Sequence, residues 1–357
     1  MPIFPNLLTY DPVFGTVFSD TIATTAEMQA VFGLFGSDTL SSSFNNTGLL
    51  GGFGADVLDI QIDLFDDMAA STWEVNAFAD GGKGDDTINV NVVGFSDFGT
   101  DASFDIHVCG GSGADVIDVS TISNALGNSV VTNTIYGGTG ADTITALAVG
   151  GEFFGDNSTA INRIWGGFGN DYITASAVVY SNTSLLAENY LNGGAGNDYL
   201  SASTSVDSNS DAPEGSNTLI GGSGRDTLIA DHVTDGENST TTLTSDLNGG
   251  SGRDSLTATM LALAQDTAIG TNILDGGSGN DVMSASILAA SFTDGAVATN
   301  RLDGGHGHDT MTAYADASYQ ALFNAGTAHN YLDGGSGHDV MSATIEVGSN
   351  GFSELYG

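Results

Sequence analysis

Apolar and polar residues alternate along most of this chain. In stretches such as YLSAS (199–203) every second residue is apolar or small, a period of two that predicts strands rather than helices. The alternation keeps a fixed phase relative to pairs of glycines. Two positions before a pair stand Ile135, Ile164, Leu191, Leu219, Leu247, Leu274, Leu302 and Leu332. Beyond the aspartate that follows each pair, the second residue is always apolar, from Leu58 through Ile173 to Met341. The fourth is Ile60, Val90 or Val119 and then alanine, from Ala146 to Ala343. The residue between these two is mostly Thr or Ser and must point outward. Four positions before the glycines, with inward parity, come Asn133, Asn162, Asn189, Asn217, Asn272, Asn300 and Asn330, which predict a ladder of side-chain amides bonded along a stack.

The glycine segment reads G-G-x-G-x-D and recurs eleven times between Gly51 and Asp339, at intervals of 27 to 30 residues, using 33 of the 51 glycines. Two degenerate copies precede it, G-L-F-G-S-D at Gly33 and G-T-V-F-S-D at Gly15, at the shorter interval of 18. Each repeat predicts one coil: glycine turn, outgoing strand, polar loop, returning strand. No coil has enough apolar surface to fold alone, so stability must come from stacking. The expected fold is all-β, a parallel β-roll or β-helix solenoid of about 13 coils, a rod roughly 60 Å long at ~4.8 Å per coil. Residues 1–50 read as an N-terminal segment of short degenerate coils, a cap or assembly element, and residues 51–357 as the regular solenoid.

Composition narrows the partners. Against 44 acidic side chains there are only 5 basic ones, a formal charge of −39, yet hydrophobic residues make up 40% and mean hydropathy is slightly positive. That hydrophobicity argues for a folded chain. The charge argues for bound cations and against nucleic acid or anionic membranes. No apolar run is long enough to insert in a membrane as a helix, one cysteine excludes an internal disulfide framework, and the N-terminus does not read as a signal peptide.

A hard cation such as calcium (Ca2+) takes six to eight oxygens from carboxylates and carbonyls. Glycines let a turn aim its carbonyls inward, one aspartate supplies charge, and stacking sets adjacent turns side by side so that one ion takes oxygens from both. Copies such as GGAGNDYL (193–200) and GGSGNDVM (276–283) resemble the repeats-in-toxin (RTX, haemolysin-type) calcium-binding repeat, strongly over 51–345 and weakly over 15–50. The resemblance implies a β-roll with Ca2+ held by each motif aspartate and by motif-glycine carbonyls. Those residues are Gly51, Gly54 and Asp56; Gly81, Gly84 and Asp86; Gly110, Gly113 and Asp115; Gly137, Gly140 and Asp142; Gly166, Gly169 and Asp171; and Gly193, Gly196 and Asp198. The row continues through Gly221, Gly224 and Asp226; Gly249, Gly252 and Asp254; Gly276, Gly279 and Asp281; Gly304, Gly307 and Asp309; and Gly334, Gly337 and Asp339. Ten gaps between eleven turns imply on the order of ten ions, leaving roughly −19 on the rod.

Family coils are shorter and carry calcium turns at both edges, whereas here the second edge lacks the motif. Its loops hold acids instead: Asp97, Asp101 and Asp105; Asp207, Asp211 and Glu214; Asp231, Asp235 and Glu237. DSNSD (207–211) starts like an EF-hand loop but puts Ala212 where glycine is needed, and these acids read as solvated turns. His306 and His308 occupy variable positions of a turn and read as surface residues rather than transition-metal ligands. Cys109 reads as a small strand residue, and the sequons at Asn45, Asn157, Asn182 and Asn238 as coincidences in a chain rich in Asn, Ser and Thr. The outward Thr/Ser row invites comparison with ice-binding surfaces, but its partner row is irregular (Val116, Thr143, Tyr172, Tyr199).

No HExxH, GxSxG or Cys–His constellation is present, and pairs such as Asp66 and Asp67 lack a cleft lined by aromatics, so the chain reads as no enzyme. The expected function is that of a secreted bacterial calcium-binding structural protein, extracellular or at the cell surface. A stalk or fragment of a larger RTX adhesin is the alternative; an ice-binding or polysaccharide-active solenoid is the reading from another class. Leu355, Tyr356 and Gly357 align with the Leu-x-Gly that opens a turn, and MPIFPNLLTYDPVFG is apolar. These ends imply head-to-tail association with a second copy, completing a cation site between Asp339 and an acidic turn such as Asp20.

Overall fold

The computed structural model describes residues 10–66, 72–96, 100–151, 157–181, 185–208, 213–234, 240–291, 295–319, 326–347 and 350–357. Several expectations fall outside these residues, wholly or in their side chains: residues 1–9, Asp66, Asp67, Asp97, DSNSD and Ala212, Asp235, Glu237, Asn182 and Asn238.

The outgoing strands form one 13-stranded sheet and the returning strands one of 14, both parallel, with every neighbour one coil away in sequence. No helix occurs among the described residues. Register follows the repeat. Ile144 pairs with Ile173 and Ala146 with Ala175, Ile173 with Leu200, and Asn133 with Asn162 and then Asn189. Where the interval is 18, so is the register step, Asp11 lying opposite Gln29. The returning strand Thr47–Phe53 runs across position 50 with the same register held on both sides of it.

Inward residues of the two sheets meet in a narrow core. Beside the turns it runs unbroken from Val31 to Leu332, and a second apolar cluster, Leu243 to Ala328, fills the far side of the later coils. In the earlier coils the first cluster also covers the far side, through Val131, Ala160 and Ala187, and the asparagine ladder runs between the near and far sides of the core. Asn133 Nδ2 donates to Asn162 Oδ1, Asn162 to Asn189 and Asn189 to Asn217, each at 2.9 Å, and each amide also donates across the core to a carbonyl of the opposite sheet. These fully buried amides are satisfied within the stack, which is what makes their burial tolerable.

The ladder breaks once, at Ser245, and the break has a cause across the core. In other coils a buried threonine bonds the ladder amide: Thr121 Oγ1 donates to Asn133 Oδ1 at 2.7 Å and Thr204 Oγ1 to Asn217 Oδ1 at 2.6 Å. In the next coil His232 replaces the threonine and Ser245 the asparagine. The imidazole is 1% exposed and bonds the Thr244 carbonyl at 2.9 Å, leaving Ser245 Oγ and Asn272 Oδ1 without partners. Gly215 completes the exchange, since a Cβ there would press on Leu243 Cδ2 at 2.7 Å and His232 Nδ1 at 3.4 Å. The double substitution His232→Thr with Ser245→Asn should therefore restore the ladder. It is expected to raise the stability of the calcium-loaded chain by about 1–3 kcal/mol in urea unfolding, whereas Ser245→Asn alone, crowded by the imidazole, should lower it.

Candidate metal centre

The turn at 193–198 shows how the sites are built. Gly194 and Gly196 have φ of +103° and +145°, and a Cβ on Gly196 would overlap the carbonyl oxygen of Gly169 in the coil below. Successive turns thus stack backbone on backbone, a closeness that only glycine permits. The first glycine serves another purpose: its φ is ordinary, but a Cβ on Gly193 would strike the Oδ2 of Asp198, which folds back over it.

Each turn aspartate is tied to the next coil. The N–H of Asp171 donates to Asp198 Oδ1 at 2.8 Å, Asp198 N–H to Asp226 Oδ1 at 2.8 Å, and the series runs without interruption from Asp20 to Asp339 at 2.7–2.9 Å. One carboxylate oxygen per coil is thereby satisfied. The other is not: Oδ2 of Asp38, Asp56, Asp86, Asp115, Asp142, Asp171, Asp198, Asp226, Asp254, Asp281 and Asp309 is buried without a hydrogen-bond partner. Next to it lies a carbonyl of the following coil. The point where a Cβ of Gly249 would stand is 2.8 Å from Asp254 Oδ2 and 2.9 Å from Gly276 O, so both oxygens face one gap between coils.

A row of buried carboxylates is costly to ionise. Burial first, and then repulsion between neighbouring aspartates, push Asp86, Asp142 and Asp198 up to about 7 and Asp226, Asp254 and Asp281 up to about 6, although the N–H each Oδ1 accepts pulls the other way. Asp56, Asp115, Asp171 and Asp309 are raised by the same burial. Orphaned anionic oxygens beside carbonyls are the donor set of a hard divalent cation, so the turns fit Ca2+.

All eleven sequence-predicted aspartates lie on this row, with Asp339 at its last described turn. Sequence reasoning left Asp38 out of the row and named Asp20 only as a contact for a second copy, because their motifs are degenerate. Yet Asp20 N–H donates to Asp38 Oδ1 and Asp38 N–H to Asp56 Oδ1, both at 2.7 Å, and Asp38 Oδ2 is orphaned like the rest. The available signal was the aspartate closing each degenerate copy. Leu34 stands at the second-glycine position with φ of +82°, keeping the turn's shape against the preference of a leucine.

The other candidates assemble no comparable site. Among the described residues no three His, Cys, Asp or Glu side chains gather as metal ligands; the glycine turns need no such cluster, because each coil contributes one carboxylate and backbone oxygens. His308 Nδ1 accepts the His338 N–H at 2.8 Å with the rings stacked, and His306 Nδ1 bonds Ser336 Oγ at 2.6 Å. The acids expected in far-edge loops stand on strands where they are described, Asp101 and Asp105 on Asp101–Ser112, Glu214 on Glu214–Ser223 and Asp231 on Thr227–Thr234, which corrects that expectation: Asp101 Oδ1 accepts the Asn128 N–H at 2.8 Å and its Nδ2 at 2.9 Å, Asp105 lies 3.2 Å from His107, and Asp231 accepts from Thr259.

The family model described as RTX calcium-binding nonapeptide repeat (4 copies) matches residues 132–148, 158–177, 187–207, 214–232, 267–286 and 322–344. A comparison with curated proteins finds no match. The matched repeats on a parallel solenoid identify the chain as an RTX β-roll repeat protein. RTX repeats bind calcium, are typical of secreted bacterial proteins, and form a fold that is typically structural rather than enzymatic.

The raised carboxylates fix the sign of a pH effect on the calcium-free chain. Between the ordinary aspartate value near 3.8 and the folded values of 6 to 7, the folded chain holds more protons than the unfolded one, so its stability falls as pH rises through this window. His232 opposes this: burial lowers it to about 4, so acid costs the fold one imidazole. Six carboxylates shifted by two units or more outweigh one imidazole. In EGTA, strand signal by circular dichroism should therefore be greater at pH 5, where the row is largely protonated, than at pH 8, where the calcium-free chain is unfolded; more strand signal at pH 8 than at pH 5 would contradict the assigned burial of the row.

Proposed function

We propose that this chain is a secreted calcium-binding structural protein in which the turn aspartates Asp56 to Asp339, together with Asp38, hold a single-edged row of Ca2+, and whose rods join end to end into an extracellular filament, surface layer or matrix. The observation that carries the calcium row is the orphaned Oδ2 repeated in coil after coil beside a carbonyl of the next coil. Without cations the row repels itself, and a core lined by alanine offers little to offset that repulsion and the entropy of so many glycines. Folding then belongs where Ca2+ reaches the range that extracellular modules use, about 10⁻⁴–10⁻³ M. Residues 1–50 act as the receiving or capping element in this reading.

Circular dichroism with and without EGTA at pH 7.5 tests the dependence: strand signal should appear only with Ca2+, and a signal indifferent to chelation would sink the proposal. Metal analysis of the loaded chain should give on the order of ten ions, with one or two fewer in Asp198→Asn, whose amide keeps the shape but not the charge. About twenty would mean that the far-edge acids bind as well.

Association rests on a separate observation. Val340 is 64% exposed, Leu355 47% and Tyr356 56%, and the strands Val340–Val347 and Asn350–Tyr356 are paired on one side only. These outer edges and apolar side chains fit a further coil of the same kind, whether more of this chain or a second copy supplies it; a second copy would do so by a contact that does not close on itself. Light scattering should rise on adding Ca2+ and fall again with EGTA. A loaded chain that stays monomeric at high concentration would rule association out while leaving the calcium row intact.

A further inference from the structure

We infer that the outer face of the returning sheet binds an extended neutral polysaccharide at two subsites. In a chain with 5 basic residues, two arginines occupy the same row, three positions before a glycine pair, and each is followed in the next coil by a tyrosine: Arg163 lies opposite Tyr190 and Arg301 opposite Tyr331. Each pair comes with a carboxylate and a second aromatic ring.

At the first subsite Arg163 approaches Glu188 at 3.9 Å, and Trp165 stacks on Tyr136 with centroids 4.8 Å apart and meets Tyr190 at 5.5 Å. The row then steps down to Thr218, which leaves the outer side of Tyr190 facing a small residue. At the second, Arg301, Asp303, Tyr331, Asp333 and Tyr356 line an open groove of about 340 Å³ floored by Leu302 and Leu332. Asp303 and Asp333 each spend one oxygen on a glycine N–H of their own turn, at 3.1 and 3.0 Å, and Tyr356 donates to Glu354 at 2.8 Å. Arg301 makes no ion pair among the described residues although both aspartates share the groove.

Tyrosine rings offer a flat apolar surface for the C–H-rich face of a pyranose, while guanidinium and carboxylate supply the donors and acceptors its hydroxyls need. An anionic ligand would meet the chain's own charge of −39. A bare cation has no use for the rings. The same constellation recurs five coils on, about 24 Å away along the sheet at ~4.8 Å per coil, which suits a ligand that itself repeats. This inference does not depend on end-to-end association.

The test is native electrophoresis of the calcium-loaded full chain in gels cast with hydroxyethylcellulose, dextran, galactomannan or, for contrast, alginate. The chain should be retarded by at least one neutral polymer. Arg163→Gln or Arg301→Gln alone should weaken retention roughly a hundredfold, because avidity is lost with either subsite, and Tyr331→Ala should do the same. Tyr172→Ala, on the opposite sheet, should migrate like the parent chain. The glutamine variants keep every ring and leave the core untouched, and unchanged circular dichroism verifies their fold. Absence of retardation in all three neutral gels, retardation in alginate alone, or a double arginine variant retained like the parent would each overturn the inference.

Discussion

Each coil buries one carboxylate and satisfies half of it. The Oδ1 is held by the N–H of the preceding coil's aspartate, and the Oδ2 is pressed against the first glycine of its own turn with nothing to bond. A lone buried anion of this kind costs several kcal/mol unless it is protonated or paired with a cation. The glycines make the arrangement sterically feasible by letting turns stack backbone on backbone. The arrangement accounts for part of the chain's acidity, and no lysine or arginine sits in the row to compensate it, so that charge is left to come from solution.

The rest of the cross-section adjusts to the stacking distance that the turns impose. Because neighbouring coils share one spacing, a large inward residue in places requires a small one beside or across from it. Met260 and Ile287 crowd Gly270, where a Cβ would lie 2.7 and 2.8 Å from their side chains, and Gly215 leaves room for His232 across the core and for Leu243 in the next coil of its own sheet. Variation in coil length is confined to the far edge, where no ladder constrains it. The turn edge keeps its geometry even where its sequence fails, as Leu34 shows at φ +82°.

Features generated by local periodicity were legible in the sequence. The strand faces, the asparagine ladder and the eleven turn aspartates all follow from a period of two and a fixed offset from glycine. Asp38 and Asp20 were harder, because a motif read as letters ends where its glycines end, whereas the backbone carries the turn further. The break at Ser245 shows in the sequence as the one coil missing from the asparagine row between Asn133 and Asn330, but its cause, the exchange of Thr204 for His232 across the core, was not legible. It depends on which residues of opposite sheets meet, and neither substitution breaks the alternation. The Arg163–Tyr190 and Arg301–Tyr331 pairs are likewise invisible until register is known, since 27 and 30 residues separate their members.

The aspartate ladder also dictates how the rod gains and loses order. Every turn aspartate contributes Oδ1 to the coil before it and its N–H to the coil after it, so displacing one loosens both neighbours, and a cation in the gap between two turns stiffens both. Coupling of this nearest-neighbour form makes stability a sum over interfaces rather than over residues. Order then propagates best from a stretch where every interface is complete and stalls where one is weak. The weak interfaces lie in two places: among the first coils, where Phe18 and Leu34 replace turn glycines, and at Ser245, where the amide ladder is cut but the aspartate row is not. At Ser245 the aspartates are the side-chain ladder that still crosses the break, beside the backbone pairing of both sheets and the apolar core, so cohesion of the two halves of the rod depends more on the turn row there than in any coil where the amides are continuous.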